Sequence, residues 1–536
     1  MSTPGASADA RAWLLEADRL HHAKQFGPAA EHYRQALARD ASLFDAWYGL
    51  GFAQCAAEEY GEAIVALRRA LALDPSATRL RVNLAEALFA LGHVTEAVRE
   101  YERAAAEGDP VARDMALRDI ACIAPGDPAM DNLAIARARL RWAETEAASV
   151  RPGRPDWRPG EKVRIGYLSS FFGARNWMKM FIGVINAHDR DRFEVHLLAT
   201  GDPPSADAGY RDHADDRIWE IGAISNARLA GHIADARLDV LIDLNGYSDL
   251  ARMPVLLHRA APVQFAWANM YATTGFARVD CVVGDRWTIP PEEERFCVEQ
   301  VRRVPHTYLA FDVFYPVPEI APSPWRRSGD VTFGSLISAY KITDQVIASW
   351  SRILLGVPGS RLLLRNRALG QGSNRTDILA RFAANGIDAA RLTLEGGGAH
   401  FEFLRTYDRI DIALDAFPYN GGTSTAEAIW QGVPLLTFNG DRWASRTSRS
   451  ILMEAGLGDW VAADQPGFEA MAMRLGLAPA GLAAIREGLR AKVAASPACD
   501  TEALCRALEA IYRDEIGANH PASWPGSSGP AVAAGC

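Results

Sequence analysis

The run Asp415-Ala416-Phe417-Pro418-Tyr419-Asn420-Gly421-Gly422-Thr423-Ser424-Thr425-Ala426-Glu427 places a glycine pair, three hydroxyls and a carboxylate close together. Residues of these types bind anions and sugars. Ahead of the run, Ile410-Asp411-Ile412-Ala413-Leu414 alternates apolar residues and reads as a buried strand. Behind it, an apolar-periodic stretch reads as a helix ending near Gly432-Val433-Pro434. A strand therefore feeds a glycine turn at which a helix begins. Free backbone N–H groups and the positive end of the helix dipole make such a terminus a seat for phosphate. Gly421 and Gly422 let the backbone approach closely, while Thr423, Ser424 and Thr425 either cap the helix or donate to phosphate oxygens. Glu427, about a turn further on, is placed where a carboxylate could meet ribose hydroxyls. The same residues also fit an ordinary capped helix after a strand, and the stretch alone leaves both readings open.

The rest of the chain must position that turn. Its 536 residues give room for roughly three domains. A hydrophobic share of 49% and a charged share of 23% are those of an ordinary globular protein. A net charge of −9 argues against a nucleic-acid polyanion as the main partner. No apolar run reaches membrane-spanning length, and the N-terminus lacks a basic-then-apolar export signal. The seven cysteines are dispersed, odd in number and without CxxC spacing. Reduced thiols in a cytoplasmic protein, with no metal site, are expected.

The first hundred residues repeat themselves. Trp13 and Trp47 are 34 residues apart, as are Ala29, Ala63 and Ala97, then Tyr33, Leu67 and Tyr101, then Ala36, Ala70 and Ala104. This period resembles the tetratricopeptide pattern, a stack of helical hairpins whose small alanines let two helices pack closely. Three units cover about residues 10–110, and a degenerate helical stretch, 111–147, is expected to cap them. Such solenoids bind extended peptides or partner proteins, and also serve as dimerisation or spacer modules.

Residues 148–162, rich in proline, glycine and charge, read as a linker. Buried strands then alternate with helical runs: Val163–Ser170, Phe193–Ala199 and Leu238–Leu244 in a first series. A second runs through Val331–Ser335, Arg361–Arg365, Leu392–Leu394, Asp411–Leu414 and Pro434–Phe438. The stretch from Pro316 to Pro324 separates the two. Two Rossmann-like lobes follow, at 163–322 and 323–515, with ligand expected in the crevice between them. Residues 516–536, rich in glycine, proline, serine and alanine, are expected to be disordered.

With these motifs in hand, the chain resembles the O-linked N-acetylglucosamine transferase and SPINDLY-like family of glycosyltransferases. Ile165-Gly166-Tyr167-Leu168-Ser169-Ser170, Asp243-Leu244-Asn245-Gly246-Tyr247, Arg259-Ala260-Ala261-Pro262-Val263-Gln264 and Val304-Pro305-His306-Thr307-Tyr308 match in order. So do Tyr340-Lys341-Ile342-Thr343, Pro418–Thr425 and Ala444-Ser445-Arg446. The resemblance implies an α plus α/β chain, with a tetratricopeptide solenoid followed by a GT-B fold of two Rossmann-like lobes. It further implies that Lys341 contacts the donor diphosphate, stabilising charge on the leaving group without metal. Gly421, Gly422, Thr423, Ser424 and Thr425 then hold phosphate and Glu427 the ribose. Phe403 and His400 lie where some relatives cover the nucleobase, although a phenylalanine in this apolar stretch also fits the core. His306, Asp243 and Tyr271 are unranked candidates for the general base, each needing reach of an acceptor hydroxyl.

Departures from the family pattern bear on the sugar. Arg175 and Lys179 stand where relatives have two histidines near sugar and acceptor. Two cations there suit a carboxylated donor, such as a sialic-acid-like nonulosonic acid carried on CMP, with flagellin as acceptor; they also fit exposed helix charges. The expectation is a cytoplasmic protein O-glycosyltransferase without cofactor beyond its nucleotide-sugar donor, which recruits a protein acceptor through the repeats. The alternatives are a UDP-N-acetylglucosamine-dependent enzyme, a catalytically inactive tetratricopeptide adaptor, or transfer to a small molecule or glycan.

Overall fold

Ala29, Ala63, Ala97, Ala36, Ala70 and Ala104 are all fully buried. They lie on the second helix of each hairpin in the series α1 (Pro4–His22), α2 (Phe26–Arg39), α3 (Phe44–Ala56), α4 (Tyr60–Leu73), α5 (Thr78–Ala90), α6 (Val94–Glu107) and α7 (Pro110–Ile123), whose helices pack pairwise in chain order. Helix approach is close enough that a Cβ on Gly49 would lie 2.3 Å from the Tyr33 ring, and one on Gly51 2.6 Å from Leu67. The 34-residue period therefore specifies small residues where neighbouring helices touch, and the N-terminal region is a helical tetratricopeptide solenoid.

The computed structural model describes residues 4–153, 160–222 and 224–519. Two compact units emerge. One takes the chain up to Asp131, Pro318–Asp441 and Asp459–Leu489; the other takes Asn132–Val317, Arg442–Gly458 and the chain from Arg490.

The second unit is built on a seven-stranded parallel sheet: β1 (Val163–Ser169), β2 (Phe193–Ala199), β3 (Arg217–Glu220), β4 (Val240–Asp243), β5 (Val263–Ala266), β6 (Cys281–Asp285) and β7 (Gln300–Val304). Its order is β3-β2-β1-β4-β5-β6-β7. The first unit carries a six-stranded parallel sheet of β8 (Thr332–Ser335), β9 (Arg361–Arg365), β10 (Leu392–Glu395), β11 (Ile412–Leu414), β12 (Leu435–Phe438) and β13 (Val461–Ala462), ordered β10-β9-β8-β11-β12-β13. The central strands are buried on both faces, which is why they read as continuous apolar runs rather than alternating ones. Phe333, Trp350, Leu362, Ile412 and Leu414 share one core around the second sheet. Two parallel sheets after a helical solenoid are the parts of a GT-B fold.

Three expected boundaries move. Helix α8 (Asn132–Ala147) does not cap the solenoid: Arg139 donates to the Thr273 carbonyl at 2.7 Å and lies 3.6 Å over the Tyr247 ring, and Trp142 packs on Phe276. These contacts fix α8 to the first sheet. The segment Arg442–Gly458, which carries the Ala444-Ser445-Arg446 motif, also joins that sheet's unit, where buried Arg446 makes a bidentate pair with Glu293. Lastly, the chain is helical over Thr501–Asn519, so residues 516–519 are not tail. That helix is clamped by His188, whose Nδ1 lies 2.8 Å from Glu509 and whose Nε2 lies 2.7 Å from the Tyr167 hydroxyl. Residues 520–536, and 154–159 of the expected linker, lie outside the described residues. Among the described residues six cysteines form no disulfide, and no single helix is long and apolar enough to cross a membrane.

Candidate nucleotide site and acid–base residues

In the second sheet the strand order reverses between β8 and β11, and loops leaving the carboxyl ends of such neighbouring strands form the ligand crevice of an open parallel sheet. The β8 loop carries Tyr340 and Lys341; the β11 loop carries Asp415 through Gly422. The site thus assembles from residues about eighty apart in sequence because two parallel strands place them side by side.

Asp415 organises the turn. Its Oδ1 accepts the backbone N–H groups of Ala416 and Gly421, each at 3.0 Å, and its Oδ2 accepts the Thr437 hydroxyl at 2.8 Å. A cis peptide joins Phe417 to Pro418. Gly421 is required by space: a Cβ there would lie 2.5 Å from Thr425 Oγ1 and 2.7 Å from Ser424 Oγ. The helix Thr423–Trp430 begins at Gly422, which has no side chain to cap it. A helix N-terminus of this kind favours an anionic acceptor. Thr423 and Ser424 are half-buried, whereas Thr425 is fully buried behind Gly421 and supports the turn rather than lining its surface.

Lys341 donates from Nζ to the Asn420 carbonyl at 2.9 Å, immediately before the glycine pair. The ammonium also sits 4.1 Å over the Tyr419 ring, with the Tyr340 ring 5.8 Å away on its other contact. Burial favours the neutral amine and lowers its pKa to about 8, although the charge of Asp415 works in the opposite direction. A cation held against a helix N-terminus in a poorly solvated place is suited to a diphosphate.

Glu427 is buried, and its Oε1 lies 3.0 Å from His400 Nε2. His400 opens the short helix His400–Leu404, which also carries half-buried Phe403. Arg365, at the end of β9, lies 5.5 Å over the Phe403 ring and donates to the Gly396 carbonyl and the Thr406 hydroxyl. Lys341 is thus joined to the Gly421–Thr425 turn, while Glu427 brings His400 against the helix that follows that turn. Tyr340 and Tyr419 lay inside the motifs singled out from sequence, but nothing local indicated that their rings flank the lysine.

The first sheet carries the remaining candidates at the carboxyl ends of its strands, and they fare unequally. Asp243 is corrected: it is fully buried, and its two oxygens accept the backbone N–H groups of Asn245 and Gly246 at 3.0 Å each. Burial pushes its carboxyl up to about 7, with the backbone bonds pulling down and the charge of Asp249 pushing up. It holds the loop after β4 and offers no free oxygen. Lys179 is corrected too, being buried with its ammonium 4.7 Å over the Tyr315 ring. Arg175 donates to the Asp207 carbonyl at 2.8 Å. The two cations therefore form no open carboxylate clamp. Tyr271 sits in a left-handed backbone conformation (φ 57°), its ring 6.4 Å from that of Trp443.

His306 is the most poised of the set. It follows β7, its side chain is 49% exposed, and its Nδ1 lies 2.8 Å from Oε2 of buried Glu454. A carboxylate only accepts, so Nδ1 carries the proton and Nε2 is left as the basic nitrogen. Glu454 is itself held by the Trp287 indole N–H at 2.7 Å and by Arg286 at 3.1 Å. Burial raises the Glu454 carboxyl, but those bonds, with His306, outweigh it and keep it below the ordinary range. No sequence signal pairs residues 148 positions apart.

Comparison with known proteins agrees with this layout. The family described as glycosyl transferase family 41 matches residues 151–320 and 328–508, and a tetratricopeptide repeat family matches residues 55–115. The chain is 30% identical over 366 residues to the probable UDP-N-acetylglucosamine–peptide N-acetylglucosaminyltransferase SPINDLY of Arabidopsis thaliana, covering 66% of this chain and 40% of that protein. It is 32% identical over 302 residues to the protein of the same name from Oryza sativa subsp. japonica, covering 55% of this chain and 32% of that one. It thus spans about 40% or less of the length of these curated relatives. A solved structure of a mutant Thermobaculum terrenum O-GlcNAc transferase superposes with a TM-score of 0.79 at 27% identity, covering 97% of this chain and 99% of that one. With both sheets inside the matched segments, the chain belongs to glycosyl transferase family 41.

Proposed function

We propose that this chain is a protein O-glycosyltransferase that moves N-acetylglucosamine, or a closely related sugar, from a UDP-activated donor to a serine or threonine hydroxyl. The observation that carries this is the Lys341 ammonium 2.9 Å from the Asn420 carbonyl, at the glycine turn that opens the helix Thr423–Trp430. As the sugar leaves, negative charge grows on the diphosphate, where Lys341 and the positive end of the helix dipole stabilise it. His306, oriented by Glu454, takes the proton of the attacking hydroxyl through Nε2. The repeats recruit the acceptor; with Gly372, Ser373, Thr376 and Asp377 they line a groove of about 1050 Å³, its apolar part Trp47, Leu50, Ile64 and Leu88 and its charged groups Arg34, Glu62, Arg68 and Asp377. Cysteines outside disulfides suit a reducing compartment such as the cytoplasm.

The relatives named above favour UDP-N-acetylglucosamine as donor. A CMP-linked nonulosonic acid and a flagellin acceptor drew their support from Arg175 and Lys179, and that support goes with the burial of Lys179. Calorimetric titration with UDP, GDP and CMP tests the proposal: UDP binds best, whereas no affinity for any of the three marks a non-catalytic adaptor. Transfer of N-acetylglucosamine to protein, followed by mass spectrometry, then separates a protein glycosyltransferase from one acting on small molecules.

A further inference from the structure

The third tetratricopeptide hairpin reaches the loop that bears Lys341. Phe89, near the end of α5, stacks on Tyr340 with ring centroids 5.0 Å apart and planes 25° from parallel. Tyr340 lies 5.9 Å from Tyr419, the ring beneath the Lys341 ammonium. Beside this stack the α5–α6 turn closes onto the same loop. Gly92, at φ 84°, comes so near that a Cβ would lie 2.4 Å from the Ile342 carbonyl oxygen. Arg381 bolts the two together, donating to the Leu91 carbonyl at 2.7 Å and to the Ile342 carbonyl at 2.9 Å. His93 and Asp377 add a contact at 3.0 Å. On the other side, a Cβ on Gly126 would touch the Tyr419 ring at 3.6 Å.

We infer that the third hairpin is a wall of the nucleotide site, with Phe89 a positioning residue that holds Tyr340, and through it Lys341, in place for an anionic diphosphate. This rests on Lys341 being a diphosphate ligand. The repeats then have two tasks, recruiting an acceptor and completing the donor site, and removing them disables both.

Calorimetric titration of the full chain with UDP tests this in four variants. Phe89→Ala removes the ring, Phe89→Leu keeps apolar bulk without a flat face, Phe89→Tyr keeps the face, and Leu20→Ala weakens the core of the first two hairpins, away from Phe89. An aromatic pair of this kind is worth about a two- to tenfold change in an equilibrium constant. Phe89→Ala and Phe89→Leu are expected to bind UDP weaker by about that factor. The alkaline limb of binding should also move up from about pH 8 as water reaches Lys341. Phe89→Tyr and Leu20→Ala should bind as the unmodified chain does. A purely structural Phe89 would lower the melting temperature in Phe89→Leu and leave both affinity and pH profile alone, which overturns the inference. If Phe89→Ala does not fold, Phe89→Leu decides. Absence of UDP binding by the unmodified chain instead removes the donor-site reading on which the inference stands.

Discussion

Raising the pH should weaken UDP binding through one side chain. Lys341 titrates near pH 8 in the free protein, because burial disfavours its charged form more than Asp415 favours it. Only the ammonium attracts diphosphate, so the apparent dissociation constant grows in proportion to 1 + 10^(pH−8). That is a rise of about tenfold between pH 7 and pH 9, and about ninetyfold by pH 10. An ordinary lysine, near 10.4, would leave affinity almost flat to pH 9. The second ionisation of phosphate, near 6, is complete before this window and does not contribute. Binding also pulls a proton onto the amine, so about half a proton is taken up per UDP bound at pH 8. Calorimetry in buffers of different ionisation enthalpy, at constant ionic strength, reads affinity and proton uptake together. Lys341→Gln should bind about ten- to a hundredfold more weakly at pH 7, as expected for losing a hydrogen bond to a charged group. Its pH profile should be flat. Constant affinity to pH 10 in the unmodified chain, without proton uptake, refutes the assignment of Lys341 to the diphosphate.

Other perturbations test neighbouring parts of the structure. Gly421→Ala should push the Thr425 and Ser424 hydroxyls out of place, weakening UDP binding about tenfold or more and also lowering the melting temperature, measured by calorimetry and thermal denaturation. His306→Ala should slow sugar transfer by about 10²-fold while leaving UDP affinity intact, and Glu454→Gln should reproduce part of that loss; radiolabel transfer assays distinguish the outcomes. Gly49→Ala forces a methyl into the Tyr33 ring and should destabilise the solenoid by about 1–3 kcal/mol, seen as a lower melting temperature with unchanged UDP affinity.

What could be read from sequence was local. A period of 34 residues and runs of Val, Ile and Leu mark elements wherever neighbours in sequence share one environment, so the repeats and the central strands were legible. The glycine turn was legible for the same reason, because strand, turn and helix follow one another. Features made by distant segments carried no such mark. Asp243 looks like a base until its oxygens are found on the Asn245 and Gly246 amides, and Lys179 looks exposed until Tyr315 covers it. Glu454 gains its meaning only from His306, and Phe89 only from Tyr340. The end of the chain is different, since a signal was present: Leu504, Leu508, Tyr512 and Ile516 recur every fourth residue and are all buried. The glycine at 517 obscured the continuation of that helix.

The path of the chain bears on how the protein comes apart. It crosses from one compact unit to the other five times, after Asp131, Val317, Asp441, Gly458 and Leu489. No single cut releases either unit as an unbroken piece, and shortening the polypeptide before Thr501 takes away the helix that Glu509 ties to His188. During synthesis the unit built on the six-stranded sheet waits for residues beyond 459, long after its solenoid has emerged from the ribosome. A protease nick inside either unit should therefore leave it as separate segments held together by packing alone.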